Sequence, residues 1–167
     1  SDNVSWRSIA GQLALSSSNW REEPIRHVIA KHASRPTTIA IADIDGDMLD
    51  DIVSSDPVYD IYENKGSVLW WKRTPDGSWN YIIVDDDFYG AYHVSTADVD
   101  NDGDTDILCA AYYGPDDPGN RNGRYAWFEN LDGAGNKWQK YVVGEYYWGA
   151  SWIDSGDFDS DGDLDLV

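Results

Sequence analysis

Residues 94–108, VSTADVDNDGDTDIL, decide the fold. An alternating run rich in small and β-branched residues leads into aspartates at every second position, and an apolar run follows. Residues 39–53, IAIADIDGDMLDDIV, and 152–167, WIDSGDFDSDGDLDLV, repeat the pattern. The first loop aspartates of the three stretches, Asp43, Asp98 and Asp157, lie 55 and 59 residues apart. A step of this regularity predicts tandem structural repeats.

Further strand signals keep the same step. Short apolar runs precede each acidic loop, and an aromatic run followed by an Asp-Gly turn lies between loops. The first kind of run is at 27–29, 81–83 and 141–143; the second is at 68–72 and 125–130, with turns at 75–77 and 131–133. Each unit therefore contains four short strands in roughly 57 residues, with no helical periodicity.

This pattern predicts an all-β chain of propeller-like blades, each with four antiparallel strands, and about three repeats per chain. Within a single β-repeat domain we place N-terminal strands at 1–30, repeat 1 at 31–84, repeat 2 at 85–143 and a partial repeat 3 at 144–167. The third unit stops at Val167, inside the strand after its loop. Either the chain is a piece of a longer protein, or N-terminal strands of the same or a neighbouring chain complete the unit. An open strand edge favours such pairing.

The acidic loops indicate metal ions. Side chains at loop positions 1, 3, 5 and 9, with the carbonyl of position 7, offer hard oxygen donors in the number that Ca²⁺ accepts. The predicted ligands are Asp43, Asp45, Asp47, Leu49 and Asp51; Asp98, Asp100, Asp102, Asp104 and Asp106; and Asp157, Asp159, Asp161, Asp163 and Asp165. We expect about three Ca²⁺ per chain. In the first loop Met48 replaces the glycine found at position 6 of the others, which predicts a weaker or distorted site.

Other interpretations of these loops are less favourable. A solvated acidic turn would crowd four uncompensated carboxylates three times over. Mg²⁺ needs tighter octahedral geometry, and zinc would need clustered His or Cys. The helix–loop–helix calcium motif would place Glu at position 12, where this chain has Ser54 and Cys109.

Composition excludes some partners. The chain has 31 acidic and 12 basic residues, a formal charge of −19, which argues against nucleic acid and anionic membranes. No apolar stretch is long enough to insert into a membrane. Cys109 is the only cysteine, and its apolar neighbours predict a buried, inert thiol.

With these residues in view, the sequence resembles the FG-GAP/VCBS repeat family, which includes the blades of the integrin α-subunit propeller. The matching stretches are 42–52, 97–107 and 156–166, and Trp127-Phe128-Glu129-Asn130 fits the family's later aromatic strand. The resemblance implies a β-propeller blade fold, Ca²⁺ in the loop between the first two strands, and an extracellular or cell-surface setting.

These observations predict a non-enzymatic module. We expect it to act in surface adhesion or self-assembly, with another copy, another extracellular protein or a glycan as partner. The alternative is a calcium-dependent, lectin-like module or a non-catalytic domain of a secreted polysaccharide-active enzyme. Candidate aromatic ligand-binding residues are Trp70, Tyr112, Tyr113 and Trp148. Trp70 and Trp71 must point to opposite sides of their strand, so at least one of the two rings is expected to be exposed or at an interface.

Overall fold

The computed structural model describes residues 29, 36–56, 66–114 and 122–167, apart from the side chain of Tyr146. All but Ile29 belong to one compact unit, Ser34–Val167. The predicted N-terminal strands at 1–30, and with them the run at 27–29, lie outside the described residues except for Ile29. In the described part of the chain, no helix is long and apolar enough to cross a membrane.

Two four-stranded antiparallel meanders make up most of this unit. The first sheet contains β1 (Ile39–Ala42), β2 (Asp51–Asp56), β3 (Ser67–Arg73) and β4 (Trp79–Asp85), and the second contains β5 (Ala91–Ala97), β6 (Asp106–Ala111), β7 (Asn122–Asn130) and β8 (Trp138–Trp148). A two-stranded ribbon follows, with β9 (Ser155–Gly156) antiparallel to β10 (Asp165–Leu166). The described residues contain strands, turns and bends but no helix. The predicted all-β class with propeller-like four-stranded units is confirmed.

The Asp-Gly turns connect the third and fourth strands of each sheet, as predicted. In the first turn, Gly77 has a φ of 82° and donates its N–H to the Thr74 carbonyl at 2.8 Å. In the second, Gly133 has a φ of 59°. Both glycines adopt the left-handed conformation, which side chains disfavour.

The main core lies between the two sheets. Val53, Val68 and Trp70 of the first sheet share one buried cluster with Ile107 and other residues of the second. Trp71 points to the opposite side of β3 from Trp70 and is half-buried, whereas Trp70 is 1% exposed. The alternation of the two rings was predictable, but Trp70 is the buried one. Its predicted role as an exposed ligand-binding ring is therefore wrong.

Cys109 lies inside this core. It is fully buried, and burial raises the pKa of its thiol well above the usual range. The predicted burial of the thiol is confirmed.

One side of the first sheet has no second sheet against it among the described residues. We call it the open face, and it presents Ile39, Ile41, Trp71, Tyr81 and Ile83. Strand register puts Ile41, Trp71 and Tyr81 in one row with Ile52, and Ile39 and Ile83 in the next. Tyr81 is 63% exposed and Ile83 is 51% exposed.

The corresponding side of the second sheet is covered. Ile107 occupies the register position of Ile52, since each directly follows the last aspartate of its loop. Ile107 is fully buried against the first sheet. The open face therefore has the same strand positions as a face that packs on a neighbouring sheet within the chain.

The residues just before the two-stranded ribbon pack against the other side of the second sheet. Ile153 is buried with Leu108 and Ala110, and the Ser95 hydroxyl donates to the Ile153 carbonyl at 3.0 Å. His93 stacks on Trp152 with a centroid distance of 3.8 Å, and its Nδ1 accepts the Ile153 N–H at 3.4 Å. This side of the second sheet thus depends on a neutral imidazole.

Acidification is expected to weaken this packing. Burial lowers the pKa of His93 below its ordinary 6.5, although Asp154 acts in the opposite direction. Because the unfolded chain binds the proton more readily, the stabilisation from neutral His93 is present above pH 6.5 and is lost as pH falls below it. Melting temperature measured from pH 7.5 to 5 should fall less steeply in His93→Phe than in the native chain. Equal slopes would contradict the role of His93.

Candidate metal centres

The three acidic loops share one hydrogen-bonding scheme. In each, the carboxylate at position 1 accepts the backbone N–H groups of positions 5 and 6, and the carboxylate at position 9 accepts the N–H of position 2. For Asp98 the two distances are both 3.0 Å, to the N–H groups of Asp102 and Gly103. Aspartate side chains readily accept hydrogen bonds from backbone N–H groups a few residues away. These bonds make each loop curl around its own carboxylates.

The backbone conformation of the loops is also shared. Positions 4 and 6 have positive φ in all three: Gly46 and Met48, Asn101 and Gly103, Ser160 and Gly162. The first loop has its glycine at position 4, whereas the other two loops have theirs at position 6, and both positions adopt the left-handed conformation. Met48 adopts a φ of 67° without disturbing the scheme, so the predicted distortion is absent from the backbone. The predicted weakness of the site stays a prediction.

Three carboxylates converge in each loop. Their oxygen atoms lie within 4.8 Å of one another in the sets Asp43, Asp45 and Asp51; Asp98, Asp100 and Asp102; and Asp157, Asp159 and Asp165. Each set contains three of the four side chains predicted from the spacing. The fourth, Asp47, Asp106 or Asp161, lies outside its set.

The aspartates at position 5 support the loop backbone, whether or not they belong to a converging set. Asp47, Asp102 and Asp161 at position 5 accept the N–H of position 7 at 2.9 to 3.0 Å, from Leu49, Asp104 and Asp163. The role of the position-7 carbonyls as metal ligands stays a prediction.

Two of the position-9 aspartates are buried. Asp51 accepts the Arg73 N–H at 2.7 Å and the Trp70 indole N–H at 2.8 Å, and Asp106 accepts the Asn130 N–H at 2.8 Å. Burial raises the pKa of both carboxyls, against the lowering effect of these hydrogen bonds. Asp100 at position 3 also has a raised pKa, first from desolvation and then from the charge of Asp102. A cation would favour the ionised form of each group.

The loops fit a hard cation in their donor chemistry. Every converging atom is a carboxylate oxygen, the donor type that Ca²⁺ prefers. The Asp45 side chain is 5% exposed, and its Oδ1 atom is buried with no hydrogen-bond partner. A buried oxygen without a partner is costly unless a ligand contacts it. Asp43, Asp45 and Asp51 would hold such an ion in the first loop, with the equivalent sets in the other two.

Asn130 connects the first two loops, and sequence reasoning missed this. Its side chain is fully buried and donates to the carbonyls of Ile44 in the first loop, at 2.9 Å, and Thr105 in the second, at 3.4 Å. The Oδ1 atom of the same side chain accepts the Gly135 N–H at 3.0 Å. The Asn at the end of the aromatic strand run was visible in the sequence, but nothing local indicated a partner 86 residues away.

The predicted aromatic ligand-binding residues do not form one platform. Tyr112 packs edge-on against Tyr113, with centroids 5.0 Å apart, and contacts Tyr92 at 5.5 Å. Trp148 is 74% exposed at the end of β8. With Trp70 in the core, only the remaining three stay candidates.

Sequence comparison identifies one of the repeats. Residues 43–109 match the model of the FG-GAP-like repeat, and this stretch contains the first two acidic loops and strands β2 to β5. No curated protein matches the chain. The resemblance drawn from the acidic loops is confirmed over this region, and the chain carries an FG-GAP-like repeat.

Proposed function

We propose that this chain is a calcium-binding β-repeat module that acts in extracellular self-assembly or adhesion, with one Ca²⁺ in each acidic loop. The observation that carries the proposal is the threefold recurrence of one loop geometry around converging carboxylates. A single acidic turn can be a solvated surface feature. Three loops with the same hydrogen bonds and the same left-handed positions indicate a common ligand.

The charge of the chain supports the same ligand. At a formal charge of −19, the chain repels itself most strongly where its carboxylates are closest. Three divalent ions would bring the formal charge to about −13 at those points. Calcium sites in extracellular modules have dissociation constants on the order of 10⁻⁴–10⁻³ M, which suits this setting.

The open face supports self-association. Ile39 and Ile41 are each 39% exposed and lie beside the more exposed Tyr81 and Ile83. Contiguous exposed apolar residues commonly mark interaction surfaces. The equivalent face of the second sheet already packs on a sheet of this chain, so another such sheet is the partner that we propose.

Buried reactive groups favour binding over catalysis. Cys109 is fully buried, and His93 is 6% exposed and held between Trp152 and the Ile153 backbone. Neither group is placed to act on a substrate. Glycan binding remains the second candidate because Trp148 exposes a ring that a sugar can stack on.

The test is thermal unfolding and native mass, in millimolar Ca²⁺ and in excess chelator. We expect Ca²⁺ to raise the melting temperature, since a site at ten times its dissociation constant contributes about 1.4 kcal/mol. Mass by light scattering should fall on chelation. Equimolar Mg²⁺ is the control and should act more weakly. An unchanged melting temperature would contradict structural calcium, and a monomer in Ca²⁺ would contradict self-assembly and turn attention to glycan binding.

A further inference from the structure

Equivalent positions in the two sheets have opposite charges. Lys72 follows Trp71, whose strand partner is Ile52, and Glu129 follows Phe128, whose partner is Ile107. Ile52 and Ile107 each follow position 9 of their loop. Lys72 and Glu129 therefore occupy the same place beside the first and second loops.

Lys72 contacts the first carboxylate cluster. Its ammonium forms a salt bridge and hydrogen bond with Asp45 Oδ2, while the other oxygen of this buried carboxylate has no partner. The ammonium also lies 5.7 Å from the centre of the Trp70 ring, whose indole N–H donates to Asp51. These contacts fix a positive charge at the edge of the cluster.

Glu129 does the opposite at the second loop. The counterpart of Asp45 there is Asp100, and the charge of Glu129 acts on Asp100 repulsively. In the part of the chain that the structure describes, the second loop has no salt bridge. Its carboxylates therefore have an additional negative neighbour in place of a cation.

We propose that Lys72 is a built-in competitor for the cation of the first loop, so that the first loop binds Ca²⁺ more weakly than the second. This inference rests on the proposed calcium-binding function. A Ca²⁺ ion entering the first loop must repel or displace the ammonium from Asp45, whereas Glu129 strengthens the attraction of the second loop. Lys72 and Glu129 thus set affinity without being calcium ligands.

The experiment follows one glycine amide in each loop by NMR as Ca²⁺ is added to the chelator-treated full chain. Gly46 reports on the first loop and Gly103 on the second. We expect the Gly46 midpoint to lie about tenfold above that of Gly103, a difference of about 1.4 kcal/mol. Lys72→Met should lower the Gly46 midpoint by about tenfold, and Glu129→Gln should raise the Gly103 midpoint severalfold.

Lys140→Met is the matched control. It removes the same charge from a lysine that pairs with Asp85, so it should leave both midpoints unchanged. An unchanged Gly46 midpoint in Lys72→Met, with Gly46 still responding to Ca²⁺, would overturn the role of Lys72 alone. If neither glycine responds to millimolar Ca²⁺, the proposed function fails together with this inference.

Discussion

Replacing Asn130 with Ala is expected to lower the free energy of unfolding by about 3 kcal/mol. The substitution leaves the carbonyls of Ile44 and Thr105 and the N–H of Gly135 without their side-chain partner. Asn130 itself is fully buried. Each buried polar group left unsatisfied costs about 1–3 kcal/mol, part of which relaxation recovers. The measurement is urea unfolding at fixed Ca²⁺.

Asn136→Ala is the matched control, because Asn136 is an exposed asparagine in the same hairpin. Its loss should cost no more than about 0.5 kcal/mol. Asn130→Asp should be nearly as damaging as Asn130→Ala, since a carboxylate would face the two carbonyls that the amide now contacts. If Asn130→Ala and Asn136→Ala unfold at the same urea concentration, Asn130 does not hold the two loops together.

Asp100→Asn is expected to lower the stability of the chain in Ca²⁺ but not in chelator. In chelator, the substitution removes a charge that desolvation and Asp102 already disfavour, so the chain should be as stable as the native one or slightly more so. In Ca²⁺, the second loop loses a ligand charge. The chain should then be less stable than the native one by about 1.4 kcal/mol, the contribution of one site near ten times its dissociation constant.

Asp86→Asn serves as the control for charge alone. Asp86 is exposed and belongs to none of the three carboxylate clusters. Its replacement should shift stability equally in Ca²⁺ and in chelator. The metal interpretation of the second loop would be wrong if Asp100→Asn showed the same lack of dependence on Ca²⁺.

Much of the fold could be predicted because its signals are local. Alternating strand runs, Asp-Gly turns and a fixed repeat step are each visible within one unit, and the two four-stranded sheets follow from them. The spacing of the aspartates also predicted that alternate carboxylates converge. It did not predict that Asn101 and Ser160 adopt positive φ, a conformation that accompanies the N–H groups donated to the position-1 carboxylates.

Contacts between units could not be predicted. The alternation of Trp70 and Trp71 along their strand is compatible with burial of either ring. Only the packing of the second sheet decides which ring is buried. Likewise, Lys72 is one ordinary charge at the end of a strand until β3 places it beside Asp45. The sequence pattern therefore predicts the strands of each unit but not the contacts between units.

The Asn130 contacts also limit how such repeats can be rearranged. The first unit, if duplicated or grafted alone, would lose a hydrogen bond to its acidic loop. The Asn130 side chain that donates to Ile44 in that loop belongs to the following unit. The smallest inheritable or transplantable piece is therefore a pair of adjacent units. A cut between residues 85 and 91 would separate the first loop from Asn130, which would stay with the second loop.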